Sequence, residues 1–64
     1  MRTPKFELKT GDNVAYLYLP DNPRSPGCIA KTVRLIDIFP GVIGPDIYLD
    51  LDSHGKLIGI EILE

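Results

Sequence analysis

The side chains best equipped for chemistry lie close together in DLDSHG, where Asp50 and Asp52 precede His54 and Gly55. Alternating carboxylates ahead of a glycine open a calcium-binding loop, in which oxygen ligands at fixed positions wrap one hard cation. An EF-hand loop also needs a third oxygen ligand before the glycine, a glutamate at its twelfth position, and helices on both sides. Here His54 stands before the glycine, the flanks alternate as strands do, and the twelfth residue from Asp50 is Glu61, across what reads as a hairpin. The match is accidental, and no metal site or other cofactor is expected.

Asp50 and Glu61 could also serve as a carboxylate pair, since general acid–base work needs two groups whose pKa values are pushed apart. An open sheet face supplies neither the burial nor the pocket for that. Glu61 is the odder residue, set in the apolar run LIGIEIL, with either a hydrogen bond to Tyr48 or a salt bridge to a partner across an interface as its expected role. His54 reads as a turn residue and Cys28 as a small buried filler. A single cysteine excludes an internal disulfide and any zinc site built on several thiolates. No phosphate-binding loop, dinucleotide fingerprint or nucleophile elbow is present, so the sequence bears no visible enzyme signature. Nucleic-acid binding has one thread. Lys5, Lys9, Tyr16 and Tyr18 would share the outer face of the first hairpin and could stack bases, but Glu7 sits among them and the chain is acidic overall.

Positioning these groups falls to elements with a period of two. KFELK places Phe6 and Leu8 opposite in phase to Lys5, Glu7 and Lys9, and VAYLYL places Ala15, Leu17 and Leu19 against Val14, Tyr16 and Tyr18. A turn centred on Gly11–Asp12 would join them, pairing Thr10 with Asn13, Leu8 with Ala15 and Phe6 with Leu17. Near the end, a turn centred on His54–Gly55 pairs Leu51 with Ile58, Leu49 with Ile60 and Ile47 with Ile62, all on one face. His54 would then need positive φ, where histidine is tolerated. PDNPRSPG is a loop. CIAKTVRLIDIF is β-branched and reads as a strand, but Ile29, Val33 and Leu35 fall on one side while Ile36 and Ile38 fall on the other. A bulge near Leu35–Ile36 or burial of both faces would explain the switch, with a helix as the alternative. The expectation is one β-rich domain spanning residues 1–64, with about five strands in a small antiparallel sheet or sandwich.

Sixty-four residues bury only a thin core, and oligomerisation is a common remedy, so a homodimer is expected. No apolar run approaches a membrane span and no signal peptide opens the chain, which reads as soluble and cytoplasmic. Charge is divided unevenly. Met1–Arg34 carries six basic residues against three acidic ones, and Leu35–Glu64 one against six. An acidic second half of this kind suits docking to a basic partner, although two solvated faces are the plainer account.

The run YLDLDSHGKLIGIEIL resembles the signature of the domain-of-unknown-function family 2283, which closes on an L-D-x-D-x-x-G-x-x-x-G-I-E-I-L type stretch. NVAYLYL is similar to that family's D-A-L-Y-I-x-L strand, with Asn13 where the family often has aspartate. KTV and the Pro40–Gly41 pair fall where the family has a T-V strand and a P-G turn. The resemblance implies a small β-rich bacterial or phage protein with no assigned activity, and an antitoxin-like binding role in some members. Together these readings point first to a non-enzymatic protein-interaction module that meets a basic partner through Tyr48, Asp50, Asp52 and Glu61. A ligand- or metal-binding protein or minor enzyme using Asp50, Asp52 and Glu61 comes second, and a single-stranded nucleic-acid binder third.

Overall fold

The computed structural model describes residues 5–64, and the alternating segments form β1 (Glu7–Gly11), β2 (Val14–Tyr18), β3 (Lys31–Arg34), β4 (Asp46–Leu51) and β5 (Leu57–Leu63). One helical turn, α1 (Leu35–Ile38), follows β3. All five strands are antiparallel in one open sheet of order β1-β2-β5-β4-β3, as the period-two pattern predicts.

The β4–β5 hairpin keeps the predicted register where it matters most, with Ile47 opposite Ile62 and Leu49 opposite Ile60. Leu51 departs from it. The register shifts between Asp50 and Leu51, so Leu51 lies opposite Leu57 and Ile58 is the extra residue. The turn explains the shift. Asp52 N donates to Lys56 O at 2.9 Å and Gly55 N to Asp52 O at 3.0 Å, which makes the loop three residues long rather than two. Gly55 alone takes the left-handed conformation (φ 81°), so His54 carries no backbone strain. Asp52 Oδ1 accepts from His54 N and Lys56 N at 2.9 Å each, an Asx arrangement that locks the turn.

The β1–β2 hairpin differs from expectation by two residues. Gly11 pairs with Val14, and Leu8 with Leu17 instead of Ala15, so Phe6 lies beyond the strand. The turn sits at Asp12–Asn13 because Asn13 adopts φ 61°, a left-handed position that Asn tolerates well. A shift of two preserves which side chains share a face, and it gives Leu8 a larger apolar partner.

The third departure lies after β3. No bulge forms at Leu35–Ile36; the strand ends at Arg34 and a single helical turn begins, with Phe39 N donating to Leu35 O at 2.9 Å. Pro40 disfavours helical backbone at Phe39 and stops it there. The helix that stood as the alternative for this segment is confined to the turn Leu35–Ile38, while Val33 stays in β3 and Ile29 in the loop before it.

Between β2 and β3 the chain from Leu19 to Ala30 crosses one end of the sheet. Leu19 N and Asn22 Nδ2 both donate to Ile58 O, at 3.1 and 2.9 Å, and Ala30 N donates to Leu51 O at 2.8 Å. Asn22 Oδ1 also accepts from Arg24 N at 2.8 Å, so one side chain shapes this loop and ties it to β5. Ile58 is the one fully buried hydrophobic side chain among the described residues.

Candidate functional site

Pairing of β2 with β5 sets the two hairpins side by side and merges their outer faces. Two cross-sheet rows result. One runs Lys9, Tyr16, Glu61, Tyr48, Arg34; its neighbour runs Glu7, Tyr18, Gly59, Asp50, Thr32. The acidic set expected on the second hairpin and the tyrosine–lysine set expected on the first are thus parts of a single surface. Lys5 precedes β1 and is exposed, and Asp52 sits at the β4–β5 turn with Oδ1 engaged by backbone amides. Those amides, the Lys56 N–H first, hold the Asp52 carboxyl below the usual range.

Asp50 is the centre of this face and is only 6 % exposed. Tyr16 Oη donates to its Oδ2 and Thr32 Oγ1 to its Oδ1, both at 2.7 Å, so both oxygens are used. Burial of a charged group without such donors costs several kcal/mol, of order 2–7 even for a neutral polar group. The bond joins three strands: β2 through Tyr16, β4 through Asp50 and β3 through Thr32. Tyr16 reaches Asp50 by leaning across β5 at Gly59, where any Cβ would overlap the phenol ring and its hydroxyl. Glycine inside a strand commonly marks such a close approach. Desolvation first, and then the Asp50 bond, push the Tyr16 hydroxyl well above its ordinary pKa of 10.

A second cluster closes the adjacent corner. Arg34 grips Asp46 with a fork, Nε to Oδ1 at 2.9 Å and Nη2 to Oδ2 at 3.2 Å, and Tyr48 Oη donates to Asp46 Oδ2 at 3.1 Å. The Arg34 hydrogen bond lowers the Asp46 pKa, and the Asp46 hydrogen bond raises that of Tyr48. At the other corner Arg24 lies 4.2 Å from the centre of the Tyr18 ring and pairs with Glu7, whose carboxyl it lowers. Tyr18 in turn meets Tyr16 edge to face, with ring centres 4.8 Å apart.

Glu61 differs from all of these. It lies between Tyr16 and Tyr48 in its row and is half-buried, yet it has no hydrogen-bond or ion-pair partner among the described residues. The expected Tyr48 bond goes to Asp46 instead, because the Arg34-held carboxylate sits within reach on the same strand. Asp50 and Glu61 are diagonal neighbours, as the register requires.

Beside Tyr16 and Tyr18, the loop leaves a cleft of about 270 Å³ that Asn22, Arg24 and Cys28 also line. This lies below the ~300–1,000 Å³ usual for small-molecule sites. The Cys28 thiol is half-buried, 3.9 Å from Asn22 Oδ1. Among the described residues no group of three or more His, Cys, Asp or Glu side chains gathers as a metal site would require, and no helix is long and apolar enough to cross a membrane.

Sequence reading missed Thr32, Gly59, Arg34, Asp46 and Arg24 as parts of this surface. Gly59 carried a signal, being an isolated glycine within an aliphatic strand; the others depend on which strands pair.

A single-layer antiparallel sheet with a tyrosine–carboxylate face is the class of protein these features define. The chain belongs to the family described as protein of unknown function, DUF2283, whose family model matches residues 11–64. Neither a curated protein nor a solved structure gives a significant match.

Proposed function

We propose that the protein is a non-enzymatic interaction module of the cytoplasm that binds a basic protein through the tyrosine–carboxylate face of its sheet. Glu61 carries this reading. Asp50 has both oxygens hydrogen-bonded by Tyr16 and Thr32, and Asp46 and Glu7 are paired with Arg34 and Arg24, whereas Glu61 is half-buried in the row between Tyr16 and Tyr48 with no cation supplied from the described chain. A carboxylate with a tyrosine on each neighbouring strand suits a guanidinium, which can stack on an aromatic ring and fork onto the oxygens. The net acidity of the Leu35–Glu64 half would steer such a partner inward. An RNA-cleaving protein with a basic active surface would meet these requirements, which gives the module an antitoxin-like role.

Low-salt co-purification of the tagged protein alongside its Glu61→Lys variant tests this. A basic protein retained in stoichiometric amount by the wild type and lost from the folded variant is the expected result. Equal retention by both, or no basic protein on either, would overturn the reading.

A further inference from the structure

The opposite face of the sheet is apolar. Ala15, Leu17, Ile47, Leu49, Ile60 and Ile62 form its centre, all alternate with the polar rows, and all remain half-exposed. A single helical turn cannot cover a sheet five strands wide, which spans roughly 19–24 Å at the usual strand spacing. Other large apolar side chains of the molecule also stand open. Leu8 on β1 is 60 % exposed, Phe39 just past α1 is 60 % exposed, and Ile43 is 97 % exposed.

The whole-molecule dimensions give the same answer. The accessible surface is 4942 Å², against about 4,100 Å² for a compact monomer of this mass. The radius of gyration is 12.5 Å, against about 10.7 Å expected for this length. The excess surface, on the order of 800 Å², equals what one partner contributes to a standard interface.

We infer that this apolar face packs against the same face of a second copy, making a two-layer β-sandwich homodimer. A contact of this kind must be self-complementary, because a two-fold axis brings one patch onto itself. An uncharged centre meets that condition without setting like charges against one another: no Asp, Glu, Lys or Arg lies among the six central residues, and Lys31 shares this face only at its β3 edge. Sheets stacked face to face sit ~10 Å apart with aliphatic side chains interdigitated, the arrangement alternating Leu and Ile rows allow. The polar face then looks outward on both sides of the dimer, so this inference stands apart from the binding role of Glu61.

Sedimentation equilibrium over low to high micromolar concentration tests it, using the wild type, Leu8→Lys and Lys9→Gln. Leu8 and Lys9 are neighbours on β1 that point to opposite faces, and both are exposed. A wild-type mass twice 7.1 kDa is expected, with at least tenfold weaker association for Leu8→Lys and unchanged association for Lys9→Gln. Should Leu8→Lys lose its β-sheet circular dichroism, Ile62→Thr, which keeps the branched side chain, takes its place. A monomer throughout the range, a larger closed assembly, or a dimer indifferent to the apolar-face variants would overturn the inference.

Discussion

On one face of the sheet, Asp50, Asp46 and Glu7 each meet a donor brought from another strand or from the loop after β2; on the other, Leu17, Leu49, Ile60 and Ile62 stand half-exposed. In most small antiparallel sheets the apolar side is the covered one. Here hydrogen bonding gives the polar side much of its internal order, and the apolar side still has surface to bury. The difference teaches that stability and association can be assigned to opposite faces of the same strands. Each can then be broken separately.

Asp50→Ala should have the largest effect. It strands the Tyr16 and Thr32 hydroxyls, one of them partly buried, and destabilises the fold by about 3 kcal/mol, read as a lower denaturation midpoint. In a domain of this size that is a drop of roughly 15 °C in melting temperature. Gly59→Val comes next at about 2 kcal/mol, since its side chain displaces the Tyr16 ring. The penalty should shrink in a Tyr16→Ala background, and a double-mutant cycle with coupling near zero would break the account of Gly59. Thr32→Val removes one exposed donor and should cost about 1 kcal/mol in the same assay.

Acid should weaken the polar face and the hairpin turn in a defined direction. Asp52, Asp46 and Glu7 all have folded-state pKa values below their ordinary ones, so their stabilisation is present above the ordinary carboxyl range and is lost as pH falls through the depressed values. For Asp52 the window opens near 3.8 and extends downward. Asp52→Asn, which can keep the Asx turn but cannot titrate, should show a shallower fall of melting temperature below that pH. Glu61→Gln should have the smallest effect, within about 0.5 kcal/mol, because no partner among the described residues is lost. A large loss there would show that Glu61 serves the fold and not a partner.

Legibility in the sequence followed how local each interaction is. Ile47–Ile62 and Leu49–Ile60 could be read because a short turn and strict alternation leave little freedom between them. The β1–β2 register slipped by two because the face-sharing rule cannot distinguish Leu8–Leu17 from Leu8–Ala15; only the left-handed Asn13 decides. The end of β3 was ambiguous because LIDIF suits a strand or a helix, and Pro40 acts on it from outside. At the site, Tyr48, Asp50 and Glu61 were placed on one face correctly from the hairpin alone. Tyr16 and Thr32 were not joined to them, because they are 34 and 18 residues from Asp50 in sequence and their union depends on β2–β5 and β3–β4 pairing.

The strand order carries a consequence for how the protein is made. β5 comes after the other four strands in the chain yet lies between β2 and β4. During vectorial synthesis β1 and β2 emerge from the ribosome before the strand that joins them to the rest of the sheet is made, and at ~5–20 residues per second β2 waits with a bare inner edge. A bare edge is a template for the wrong chain. A translational pause just before Leu57 would lengthen that exposure and raise the insoluble fraction, whereas slowing synthesis upstream of β2 would leave the yield unchanged.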